Sequence, residues 1–87
     1  MNRKKCEKLL NVGFSNVVFT DKIVAIVLPD SAPVKRMINE ARENAKLIDA
    51  SCGRKTRAAL ISETGHIILS ASTVETLTRR VNEEVTE

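Results

Sequence analysis

Apolar positions fall into short blocks of two periods along the chain, and the blocks define the elements. Residues 1–8, MNRKKCEK, have no apolar period and read as a frayed basic arm, which the domain division takes as 1–9, with the single domain from 10 to 85. Residues 9–20 give two short β-rich runs around the turn-forming group Gly13-Phe14-Ser15-Asn16. Asp21-Lys22 marks a corner. IVAIVL, residues 23–28, is then apolar without alternation. Such a run suits a strand buried on both faces, either central in its sheet or covered by another subunit.

A helical period follows. Val34, Met37, Ile38, Ala41 and Ala45 fall on one stripe, with Asp30 or Ser31 as the cap and Pro33 in the first turn, where its missing amide costs nothing. Residues 47–51, 57–61 and 66–70 resemble a three-stranded meander. Its second turn, SETGH, puts Gly65 where a three-residue hairpin needs a left-handed residue. Its first turn is SCGRKTR, residues 51–57. Ser72 and Glu75 stand in capping-box spacing before Val74, Leu77, Val81 and Val85, the stripe of a second helix. The predicted order is β-β-α-β-β-β-α, an α+β domain with a small mixed or antiparallel sheet.

Composition sharpens this in one direction. A chain of 87 residues buries only about 60% of its unfolded surface. Phe14 and Phe19 are its only aromatics, with no Trp or Tyr, so the core rests on aliphatic side chains. Cys6 and Cys52 fit no disulfide framework or zinc spacing, and no apolar run is long enough for a membrane span. Self-association is the remaining way to gain stability. Without an export signal, the expected location is the cytoplasm.

Catalytic and ligand-binding patterns are scarce. His66 is the sole histidine, with no second metal ligand at recognisable spacing. Asp49, Glu83 and Glu84 form no acid–base pair, and three dispersed glycines make no phosphate loop. Cys52 lies beside Arg54 and Lys55, whose charge favours a thiolate. A cysteine ending an apolar strand is more often a small buried hydrophobe. No enzyme, cofactor, metal or small-molecule substrate is expected.

Charge remains. The formal net charge is only +3, but Arg54, Lys55 and Arg57 crowd beside Gly53. On charge alone, SCGRKTR is a solvated turn or a phosphate clamp. Lys35 and Arg36 add cations on the polar face of the first helix, which taken alone reads more readily as a solvated face than as a nucleic-acid contact. Single-strand binders offer aromatic stacking platforms; two phenylalanines, one in a turn and one in an expected core strand, make a poor one. Duplex DNA needs only cations and shape.

NVGFSNVV (11–18), SAPVKRMINEAR (31–42), LIDASCGRKTRA (47–58) and HIILSASTVETLTRRV (66–81) together resemble the RemA family, small bacterial DNA-binding regulators of extracellular-matrix and biofilm genes. The resemblance implies a homo-oligomeric ring presenting repeated basic loops to double-stranded DNA, and a nucleoid-associated location. Carried over by motif, Arg54 and Lys55 match the family's paired cations, Lys22 a basic corner residue, and Pro33 the Ser-Ala-Pro loop beside the DNA surface. Arg57, Lys35 and Arg36 complete the expected DNA-binding set. Lys55 and Lys22 stand where arginine is usual, Cys52 replaces an aromatic, and the basic arm is longer than typical. Two alternatives stay open: a structural or adaptor oligomer whose basic loops contact a protein, and a small RNA-binding protein.

Overall fold

The computed structural model describes residues 9–85. Of the expected basic arm, taken as 1–9, residues 1–8 lie outside them, and Leu9 belongs instead to the first strand, which it opens. The elements are β1 (Leu9–Gly13), β2 (Asn16–Phe19), a 3-10 turn (Thr20–Lys22), β3 (Ile23–Val27), α1 (Ala32–Glu43), β4 (Leu47–Asp49), β5 (Ala58–Ser62), β6 (Ile67–Ser70) and α2 (Val74–Val85). This is the expected α+β order.

Period-two alternation in β5 and β6 builds two cores, one on each face of a four-stranded sheet. Ala58, Leu60 and Ile68 face Leu10, Val12, Ala50 and Leu77, so the β1–β2 hairpin and α2 cover that side. Ala59, Ile67 and Leu69 face Ala41, with Val34 and Ile38 of α1 packed around them. Leu10, Leu60 and Leu77 are fully buried, each contributing about 1.5–3 kcal/mol of transfer free energy. Arg80 ties α2 to the hairpin by donating from Nη1 to the Asn11 carbonyl at 2.8 Å.

The sheet order is β3-β5-β6-β4, so residues 47–70 are not a meander. β4 pairs with β6, in parallel, with Leu47 opposite Ile67 and Asp49 opposite Leu69. Only β5 and β6 form the expected hairpin, closed by Ser62 N–H to His66 carbonyl at 2.9 Å, with Gly65 at φ +89°. The reason lies in α1. It connects β3 to β4, which run parallel, so it crosses over the face of the sheet, and the two strands stand three spacings of about 4.8 Å apart. The β5–β6 hairpin fills that gap.

Two burial expectations change. The 23–28 run is not a central strand: among the described residues β3 is an edge, pairing only with β5, and Val24 (66%) and Leu28 (65%) are largely exposed. Phe19 is not core either. It pairs with Leu9 across the hairpin on the outward face, where both are about half exposed.

Helix ends also shift. Ser31 caps α1, its Oγ accepting from Val34 N–H at 3.3 Å. The cap of α2 is Thr73 rather than Ser72, with Thr76 N–H donating to Thr73 Oγ1 at 3.1 Å. Ser72 N–H is taken instead by Ser70 Oγ. α1 stops at Glu43, so Ala45 leaves the predicted stripe and takes φ +61°. Lys46 N–H donates to the Ala41 carbonyl and Ala45 N–H to that of Arg42, a Schellman closure in which glycine is the usual residue. Ala45→Gly is therefore expected to stabilise the fold by about 0.5–1 kcal/mol, read as a raised urea midpoint at unchanged slope.

Candidate nucleic-acid interface

Because β6 lies between β4 and β5, residues 50–57 must cross over its C-terminal end. Both ends of the crossing are fastened there. Ala50 N–H donates to the Leu69 carbonyl at 2.9 Å, and Arg57 N–H to the Ser70 carbonyl at 2.8 Å. Asp49 holds the descent by accepting from Ser51 N–H at 2.9 Å and Ser51 Oγ at 2.6 Å. Those two bonds, with a smaller contribution from the Arg42 charge, hold the Asp49 carboxyl below its ordinary value of 3.8.

The tip is a tight turn. Arg54 N–H donates to the Ser51 carbonyl at 3.0 Å, and Cys52 and Gly53 take φ +55° and +80°. Positive φ at both central residues is the type I′ geometry. A Cβ on Gly53 would meet nothing within 4 Å, so it is the backbone angle, not space, that calls for glycine. Cys52 does not pack underneath as expected. It is exposed, and Ser51, 3% exposed, is the buried residue of the turn.

Arg54, Lys55 and Arg57 are all exposed, and among the described residues none of the three forms an ion pair. They line one open cleft of about 480 Å³ with Gly13, Phe14, Ala71 and Ser72. The cleft thus joins three elements: the crossing loop, the tip of the β1–β2 hairpin and the entry to α2. The Arg54 guanidinium carbon lies 5.5 Å from the centre of the Phe14 ring, within cation–π range. A second cleft, of about 320 Å³, places Lys55 and Arg57 beside Leu28, Pro29 and Asp30. That segment leads into α1, whose first turns carry Pro33, Lys35 and Arg36, all exposed.

Lys22 is not part of this group within one chain. β3 and β5 are antiparallel with Ile23 opposite Ser62 and Val27 opposite Ala59, so Lys22 stands at the other end of the sheet from residues 54–57. There its Nζ lies 3.5 Å from Glu63 Oε2, an exposed pair of little energetic weight. His66 is tied to the β5–β6 turn through Nδ1 and Thr64 Oγ1 at 2.7 Å. Among the described residues no cluster of His, Cys, Asp and Glu is arranged to hold a metal, and no helix is long and apolar enough to cross a membrane.

A family model described as RemA-like, extracellular matrix regulatory protein A-like, matches residues 9–81. The chain belongs to the RemA-like family. Relatives named "Putative regulatory protein" include one from Synechococcus elongatus, 52% identical over 75 residues and 86% of each chain. Another, from Alkaliphilus metalliredigens, is 56% identical over 75 residues, covering 86% of this chain and 81% of the relative. A third, from Caldicellulosiruptor saccharolyticus, is 55% identical over 76 residues, covering 87% and 75%. The RemA-like match spans every element that forms the cleft.

Phe14, Asp49, Ser51 and Ser72 belong to the cleft or its support but were not among the expected site residues. Asp49 and Ser51, two apart, carry a sequence signal, since an Asx turn is common where a strand ends. Phe14 carries none, because its contact with Arg54 joins segments 40 positions apart. Asp49→Ala is expected to cost about 1–3 kcal/mol at pH 7 by leaving the buried Ser51 donors unpaired. Because the native carboxyl is held below 3.8, the ionised form's stabilisation is present above that value and fades as pH falls through the lower native one. Urea titrations at pH 7 and pH 3 should show the gap between wild type and variant narrowing at pH 3.

Proposed function

We propose that this RemA-like regulator acts by binding duplex DNA as a homo-oligomer, with residues 54–57 as the repeated contact. The observation that carries the reading is the convergence of three exposed cations, Arg54, Lys55 and Arg57, none ion-paired among the described residues, on a loop pinned at both ends to a buried strand. An anion meeting this loop finds donors that need little reordering. Arginine offers a planar fork to phosphate or a cation to a narrow minor groove, while Lys55 contributes a single-point charge.

Oligomerisation follows from two further features. β3 leaves an unpaired edge bearing Val24 and Leu28, and the hairpin turns Leu9, Val17 and Phe19 outward. Exposed apolar edges of this kind invite pairing with another chain, and a second copy meets the expectation that IVAIVL is covered by a neighbouring subunit. Assembly also gives Lys22 a route to the contact surface, from a neighbouring subunit. The +3 net charge then suffices. Three phosphates neutralised per subunit give a salt slope of roughly −3, weak alone, but linking copies raises avidity by ~10²–10⁴-fold.

Selectivity in this reading comes from DNA bendability and groove width, with a preference for bendable A/T-containing regions offering several spaced contacts. Regulation of extracellular-matrix or biofilm genes, and a cytoplasmic, nucleoid-associated location, are the corresponding biological setting. The RNA alternative loses ground because Phe14 is the one aromatic ring at the cations and is engaged by Arg54, whereas a stacking platform needs successive open rings.

Band-shift titration on long duplex and on RNA, at several salt concentrations, tests this. Wild type should prefer the duplex. Arg54→Ala with Lys55→Ala should bind at least tenfold more weakly, with a salt slope flatter by about 2 per engaged subunit. Unchanged binding would remove the loop from the mechanism. Light scattering tests assembly independently: Val24→Asp, at an exposed position, should reduce the mass toward the monomer and weaken binding to long duplex more than to short. A wild type that is already monomeric overturns the avidity account.

A further inference from the structure

Phe14 stands out at the cleft. Its backbone is at φ +56°, a region that an aromatic side chain rarely occupies. Ser15 follows at φ +67°, and Gly13 pairs with Asn16 across the turn, so the hairpin closes through a two-residue type I′ turn without glycine at either central position. Asn-Gly or Gly-Gly would form it with less strain. The ring gains little burial in return, being 48% exposed. What it does touch is Arg54, across the cleft, at 5.5 Å. A strained, half-exposed ring whose visible partner is a cation is poorly explained by stability.

We infer that Phe14 is a positioning residue for nucleic-acid binding: its ring holds the Arg54 guanidinium over the cleft, in the orientation that meets the DNA backbone. The inference rests on the duplex-binding reading above and adds a residue with no charge to it. Arginine has several rotatable bonds, and each guanidinium that arrives already oriented spares the ordering cost of capture. The ring face serves this purpose because it attracts a cation without neutralising it, unlike a carboxylate. Arg54 therefore stays available to phosphate while its position is fixed. The neighbouring geometry supports this arrangement. Gly13, at φ +108°, lets the hairpin tip approach α2 so closely that an added Cβ would lie 3.4 Å from Ser72 Oγ, and this approach brings the ring to the loop.

Three variants test the inference. Phe14→Asn removes the ring while keeping a residue that tolerates a left-handed backbone; its melting temperature should equal or exceed that of wild type. Its affinity for long duplex should fall by ~2–5-fold for each engaged subunit, with the salt slope unchanged because no cation is lost. Phe14→Tyr should retain wild-type affinity. In the Arg54→Ala background, Phe14→Asn should have no further effect. A Phe14→Asn protein that binds as wild type overturns the inference and leaves the duplex reading standing. So does an equal loss with or without Arg54. A folded wild type that binds no duplex overturns the duplex reading, and this inference with it.

Discussion

Ser70 is the point on which the rest of the molecule depends. It ends the central strand β6 and is fully buried. Its hydroxyl donates to the Val12 carbonyl at 2.7 Å and accepts from Ser72 N–H at 3.0 Å. Its own carbonyl receives Arg57 N–H. Three segments far apart in sequence are thus joined at one residue: the end of β1, the entry to α2 and the exit of the basic loop. In a low-dielectric interior each of these bonds is costly to lose, since the orphaned partner has no water to replace it. Shape at the surface follows from a polar node inside the core.

The same node explains why the basic loop can be both exposed and ordered. Residues 50–57 have few apolar anchors of their own, and a loop of that length would normally sample many conformations. Here the crossing is fastened to β6 at both ends, and Asp49 and Ser51 fix its first turn. The cations therefore stand on a rigid mount, which is the arrangement that lets a modest charge act in one direction. Electrostatic self-repulsion among three neighbouring cations opposes this crowding. It is tolerable because all three side chains reach water, where the local dielectric is high.

Much of the fold was legible because burial and period agree. The short apolar runs of β5 and β6, the stripes of α1 and α2, and Gly65 in its hairpin were each written in a few adjacent residues. What was not legible is long-range. Strands adjacent in sequence pair by default, and no local run of residues shows that β6 sits between β4 and β5. That one displacement turned an expected hairpin tip into a crossing. It also left Ser51 buried and Cys52 outside, because the chain turns over β6 instead of folding back along it. Phe19 was misjudged for a related reason: an aromatic in a β-rich run marks a core strand only if both hairpin faces are covered. The cation cluster itself was readable as consecutive letters, whereas the Phe14 contact and the separation of Lys22 depend on tertiary geometry alone.

The distribution of strain ties these observations together. Four described residues other than glycine have positive φ: Phe14, Ser15, Ala45 and Cys52. Ala45 closes a helix, and the other three lie on the two tight turns that face the cleft. Each costs on the order of 1 kcal/mol relative to a relaxed backbone, a large share of the margin available to a domain this small. Ordinary folding gains do not account for placing three such residues together, since glycine or asparagine would make the same turns at lower cost. The Ser70 node and the two cores over-determine both turns strongly enough to hold them. The strain is thus carried by the scaffold and concentrated where Phe14 meets Arg54, the contact to which the proposed DNA binding assigns a role.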